Sequence, residues 1–164
     1  MRLAVDLSRE NVERGTGGPF GAAVFDGESG ALLGIGVNSV VRLNNSTLHA
    51  EMLAFMRAQA QVGSFSLASD GAGRELFTSC EPCAMCLGAV LWSGVSRVVY
   101  AARRDDAHRL AFDEGPVFPE SFAYLRRRGI RIEGGPLREE ARQVMEAYRA
   151  RGGIIYNTLG RVDR

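Results

Sequence analysis

Two short stretches hold side chains that could do chemistry together. His49-Ala50-Glu51 places an imidazole and a carboxylate two residues apart, and Pro82-Cys83-Ala84-Met85-Cys86 places two thiols three residues apart. C-x-x-C at a helix start brings both sulfurs within one turn, close enough to share a tetrahedral zinc ion at about 2.3 Å each. His49 completes a set of three ligands, and the fourth position is left for water, whose pKa falls to about 7 beside zinc. Glu51 is not needed as a ligand and is placed to carry protons between that water and a reacting ring. The pattern H-x-E followed by P-C-x-x-C suits one zinc ion per chain and hydrolytic removal of an amino group from a nucleobase. A closed, purely structural zinc site would need a fourth ligand, for which Cys80 is the candidate; a small buried residue is the alternative reading of that cysteine.

Composition narrows the remaining classes. The chain has 164 residues, 46% hydrophobic and 24% charged, ordinary for a globular domain. A chain of this length buries roughly 70% of its unfolded surface, enough for a core without disulfides. The three cysteines lie between Cys80 and Cys86, a poor disulfide framework and a good metal cluster, so a reducing cytoplasm suits them. Every basic residue is arginine, which removes Schiff-base chemistry and the P-loop lysine. A net charge of +1 gives no general drive toward nucleic acid or membranes. Neither a secretory h-region nor a run of about 20 apolar residues is evident.

The elements that must position these residues follow from periodicity and punctuation. Residues 2 to 14 suit an amphipathic helix stopped at Gly15 and Gly17-Gly18-Pro19. Residues 21 to 25 and 31 to 38 suit a hairpin around Asp26-Gly27. A helix from about Leu48 to Gln61 follows the capping loop Asn44 to Thr47 and has His49 and Glu51 in its first turn. Met52 and Met56 on that helix suit packing rather than ligation. Residues 75 to 79 form a strand, and Pro82 is expected at the first helical position of the next helix, which ends near Ser93-Gly94. Residues 96 to 102 suit a strand buried on both faces, and 103 to 110 a short helix or loop. A helix over 118 to 128, a strand over 129 to 133 and an amphipathic helix over 137 to 151 complete the chain. Strands alternating with helices after the opening hairpin predict a three-layer α/β/α sandwich, with a roughly five-stranded mixed sheet, in a single domain spanning 1–164. The apolar segment Ile154-Ile155-Tyr156 is expected to dock on the domain.

The two motifs resemble those of the cytidine/deoxycytidylate deaminase superfamily. The blocks around them narrow the resemblance to its bacterial guanine deaminases: Gly17 to Ala22, Thr78 to Cys83, Gly88 to Trp92, Ala101 to Asp106, Phe112 to Pro116 and Gly153 to Asn157. The likeness covers nearly the whole chain. It implies hydrolysis of guanine to xanthine and ammonia, with amino-triazines such as ammeline presenting a similar edge. It further implies base binding by the Asn38 amide, aromatic contacts from Phe20 and Trp92, and a second proton-transfer acid at Glu114, with Asp113 as its local competitor. A homodimer is implied, as is a C-terminal tail from about 152 to 164, including Tyr156, that closes a pocket.

Three rivals stand beside this reading, one of them a cytosine or nucleoside deaminase. A tRNA adenosine deaminase shares both zinc motifs but needs a basic surface for nucleic acid, for which Arg126-Arg127-Arg128 is the candidate. That run falls at an expected helix end, where cations favour the dipole. A non-catalytic zinc-stabilised binding module would explain the ligands, but has no use for the acid at Glu51.

Overall fold

The computed structural model describes residues 1–156, and all structural statements below concern those residues. Eleven elements run in the order α1 (Arg2–Glu13), β1 (Gly21–Asp26), β2 (Leu32–Val37), α2 (Ala50–Val62), β3 (Arg74–Cys80), α3 (Ala84–Ser93), β4 (Arg97–Ala102), α4 (Arg104–His108), α5 (Pro119–Arg127), β5 (Arg131–Gly134) and α6 (Arg138–Ala150). The five strands form one sheet in the order β2-β1-β3-β4-β5. β1 is antiparallel to both β2 and β3, whereas β3, β4 and β5 are mutually parallel. The mixed five-stranded sheet expected from the alternation of elements is therefore present.

Helices cover both faces. On one, α2, α3 and α5 bury Ala54, Phe55, Leu87, Val90 and Leu125 against Val24, Leu76 and Val98 of the sheet. On the other, α1 and α6 bury Val5, Val12, Val144 and Met145 with Ala101 and Ala102 of β4. Val98 and Val99 are both buried, so β4 has no solvent face and needs no polar alternation. Against β2, α2 lies close enough that a Cβ on Gly36 would come within 2.0 Å of the Ala50 carbonyl. Glycine there lets the start of α2 settle onto the sheet, which fixes where His49 and Glu51 emerge.

Two helix starts differ from expectation. Cys83, not a residue before Pro82, caps α3, with φ −67° and ψ 174°, so Ala84 is the first helical residue and Pro82 precedes the helix. The chain stays extended there because Glu81 N–H still pairs with the Ala102 carbonyl, prolonging the β3–β4 pairing. Similarly, α2 begins at Ala50, and His49 is its N-cap instead of lying within its first turn. Neither helix start has a side-chain capping hydrogen bond, and both cap side chains turn to partners in the pocket.

Candidate active site

Both N-caps point into one pocket. His49 Nδ1 lies 3.5 Å from Cys83 Sγ and 3.6 Å from Cys86 Sγ. Zinc at its usual distances from nitrogen and sulfur separates such a pair by about 3.6 Å when the angle is tetrahedral. All three ligand atoms lie within 4.8 Å of one another, and they are the one such cluster among the described residues. The donor set and spacing fit zinc. Cys80 is not part of it, because its thiol turns to the Arg103 carbonyl at 3.8 Å.

The cluster is electrostatically tense. The Cys83 thiol is lowered to about 4, chiefly by its hydrogen bond with Cys86 and also by His49. Cys86, holding the proton of that pair and buried, is raised well above the ordinary thiol range. Burial works against a charged His49, yet the Cys83 bond and charge outweigh it and raise its pKa. One ionised sulfur shared among buried groups suits a divalent cation, which would let the second thiol ionise as well.

Glu51, in the first turn of α2, is 6% exposed. Thr78 Oγ1 donates to its Oε1 at 3.1 Å, and Cys86 Sγ lies 3.5 Å from its Oε2. Burial first, and then the Cys83 charge, raise the Glu51 carboxyl above its ordinary range. Opposite, Glu114 is also buried and is pushed up to about 8 by burial and by the Cys83 and Glu51 charges. The Glu114 carbonyl accepts from Ala84 N–H at 2.9 Å, fastening its loop to the start of α3. Asp113 lines the same pocket but is exposed, and its Oδ1 accepts from Gly115 N–H.

The remaining wall comes from distant segments. Asn38, just beyond β2, is buried and donates through Nδ2 to the Tyr156 hydroxyl at 2.5 Å. Phe112 meets Phe20 edge-on at 5.0 Å and Tyr156 at 5.5 Å between ring centroids. Tyr156 also faces the His49 ring at 6.3 Å, and burial raises its hydroxyl well above the ordinary range. Together these groups line a tight cavity of about 30 Å³.

Of the residues singled out in the sequence, His49, Glu51, Cys83, Glu114, Asn38, Phe20 and Tyr156 line this pocket, and Cys86 reaches its ligand cluster from beneath. Trp92 does not. It is 80% exposed on the outer side of α3, because the helix starts at Ala84 and turns position 92 away from the sheet while Val90 and Ser93 face inward. Phe112 and Glu81 line the pocket without having been singled out. A lone aromatic in a loop and an acid next to a proline carry no periodic signal. Glu81 accepts the Arg104 N–H at 3.1 Å and so ties the start of α4 to the zinc motif.

Residues 1–102 match the family described as the cytidine and deoxycytidylate deaminase zinc-binding region. The chain belongs to that family. It is 40% identical to the guanine deaminase of Bacillus subtilis (strain 168) over 120 residues, 73% of each chain. A solved guanine deaminase from Nitrosomonas europaea is 44% identical and superposes with a TM-score of 0.85, covering 90% of this chain and 81% of that one. A structure solved in complex with 2,6-diaminopurine is 45% identical, with a TM-score of 0.87, covering 95% of this chain and 82% of that one. tRNA-specific adenosine deaminases match more distantly, at 27 to 28% identity. The resemblance read from the flanking blocks is thus borne out. The chain is a hydrolytic deaminase, and zinc is the metal of its family.

Proposed function

We propose that this deaminase converts guanine and water to xanthine and ammonia. The observation that carries the reading is the convergence of Asn38, Glu51 and Glu114 on one pocket beside the His49, Cys83 and Cys86 donors. The relatives at 40 to 45% identity point to the same substrate.

Zinc, held by His49, Cys83 and Cys86, supplies a Lewis acid and water of lowered pKa when bound. The chain's own residues do the rest. Asn38 offers both a donor and an acceptor, which fixes a purine edge and hence the face presented to the zinc corner. Phe20, Phe112 and the His49 ring supply flat apolar walls for the base. Glu51 takes a proton from the attacking water and delivers it to N3, the bare ring nitrogen bonded to C2. As the oxygen–C2 bond persists and the C2–amine bond breaks, the amine must gain a proton to leave as ammonia. Glu51 and Glu114 flank that departure, Glu51 as proton carrier and Glu114 as hydrogen-bonding and proton-transfer partner of the 2-amino group. Thr78 holds Glu51 in place for this work.

Tyr156 and the tail from about residue 152 close the pocket over the base; positions 157–164 of that tail lie outside the described residues. The whole chain works as a single domain. A homodimer is supported by Met56 on α2, Trp92 on α3 and Phe65 in the loop after α2, apolar side chains left exposed on the α2/α3 side of the sheet. Among the described residues no helix is long and apolar enough to cross a membrane. Free cysteines in the metal cluster suit a reducing cytoplasm. The arginine run Arg126 to Arg128 ends α5, with Arg127 over the Tyr124 ring, and contributes none of the residues that line the pocket.

Ammonia release by the zinc-loaded protein, with guanine as sole substrate and xanthine followed by absorbance, tests the proposal. Release that stops on chelation and returns with zinc is the expected outcome. No release at one zinc per chain would overturn the guanine assignment and direct the assay to ammeline, nucleosides and tRNA.

A further inference from the structure

Asn11 sits in α1, an element that supplies nothing to the zinc corner. An asparagine inside a helix is a weak helix former, because its amide competes for backbone groups, and on an amphipathic helix it ordinarily faces water. Here it is 3% exposed. Its Nδ2 donates to the Gly18 carbonyl at 2.8 Å and to the Asn38 carbonyl at 2.9 Å. Its Oδ1 accepts from Thr16 Oγ1 at 2.7 Å, which sets which end of the amide faces the two carbonyls. Both amide protons and the oxygen are therefore engaged.

The two carbonyls belong to the two segments that carry the base-facing residues Phe20 and Asn38. Phe20 N–H bonds to the Gly18 carbonyl, and Asn38 N–H bonds to the Phe20 carbonyl. The approach is so close that a Cβ on Gly17 would lie 2.0 Å from the Asn38 carbonyl oxygen and 2.8 Å from Asn11 Nδ2. No backbone hydrogen bond joins the Gly18 carbonyl to the Asn38 carbonyl, since both are acceptors; a side chain with two donors must bridge them.

We propose that Asn11 is a positioning residue for base recognition, its amide fork locking the Asn38 and Gly18–Phe20 segments into the separation a purine requires. This rests on the reading of Asn38 as the base-binding amide. Removing the fork leaves the zinc corner intact, so the loss falls on binding rather than on chemistry.

The test compares zinc-loaded wild type with Asn11→Ala and Thr16→Val. Losing one such bond is worth about tenfold in binding, so Asn11→Ala should raise KM for guanine about tenfold with kcat within about twofold. Zinc content should not change. In an Asn38→Ala background the same substitution should add nothing further, since its effect runs through Asn38. A merely structural role would instead lower the active fraction and kcat at unaltered KM. Thr16→Val, on a partly exposed residue, keeps the test alive if Asn11→Ala does not fold. It should raise KM about threefold by releasing the amide, and Thr16→Ser should restore it. An unchanged KM in the folded variants, or a rise that multiplies independently in the Asn38→Ala background, overturns the proposal. Should wild type not act on guanine at all, the substrate reading fails by itself. The Asn38 side-chain amide resonances in Thr16→Val then decide this one: a shift supports the lock, and unmoved resonances overturn it.

Discussion

His49, Glu51, Cys83 and Cys86 come from two neighbouring helix starts, whereas Asn38, the Phe112–Glu114 loop and Tyr156 come from three separate segments. At the zinc corner, spacing along each helix sets the geometry, and a strand supports each helix start. At the base-facing wall nothing local does. Asn38 depends on Asn11 of α1, Glu114 on the Ala84 amide, and Tyr156 on Asn38. Reaction chemistry is thus concentrated in short motifs, and substrate choice is spread over contacts between elements far apart in the chain. That arrangement lets the wall change while the corner stays fixed.

The sharpest way to break this comparison is to exchange the two carboxylates for amides. Glu51→Gln should keep zinc and fold yet lower kcat by about 10³-fold, the middle of the range for a group that moves protons in the transition state. Glu114→Gln should also keep zinc, with a smaller loss of about 10²-fold and a clearer rise in KM, because the amide alters contact with the 2-amino group. If the two losses are equal, or if Glu114→Gln lowers zinc content, corner and wall are one unit.

A smaller effect separates corner from support. Thr78 Oγ1 is the strand-borne donor to Glu51, so Thr78→Val should lower kcat about tenfold at nearly constant KM, the loss of one bond to a charged group. Thr78→Ser should recover most of it. A KM effect would place Thr78 with the wall instead.

What could be read from the sequence follows the same division. H-x-E and P-C-x-x-C are short-range patterns, and the alternation of strands and helices gave the sheet and its layers. Both α2 and α3 start two residues later than the pattern suggests; at α3 Pro82 signals a helix, while the continuing β3–β4 pairing delays it. The block of likeness around Trp92 implies a pocket aromatic, whereas the turn of α3 carries it outward. Asn11 has no sequence signal, and Thr78 and Phe112 stand in blocks of likeness that do not say what they touch. Their roles exist only where α1, β3 and the loop after α4 meet segments 27 or more positions away, as Asn11–Asn38 and Thr78–Glu51 do.

The gentlest test addresses what holds the wall up. Asp106, 1% exposed, accepts from Arg138 Nε and Nη2 at 2.8 and 2.9 Å and from Arg103 N–H at 2.9 Å, with Arg109 and Arg142 each 3.9 Å away. It therefore clamps α4, which leads to Phe112 and Glu114, onto α6, which leads to Tyr156. The Arg138 fork, followed by the Arg103 amide, holds its carboxyl below the ordinary range against the opposing effect of burial. A depressed folded-state pKa means the unfolded chain takes up the proton first, so the clamp is fully present above the unfolded value of about 3.9 and is lost as pH falls through the folded one. Asp106→Asn should lower stability by about 1 to 2 kcal/mol at neutral pH, roughly 3 to 6 °C in Tm. The gap from wild type should narrow below about pH 4. Comparing the two proteins at each pH cancels the acid release of zinc that both share. Zinc content at neutral pH should not differ between them, because the clamp supports the wall and not the corner. A gap that stays constant into acid would show that the Asp106 charge contributes nothing. Zinc lost in step with stability would show that corner and wall do not stand independently.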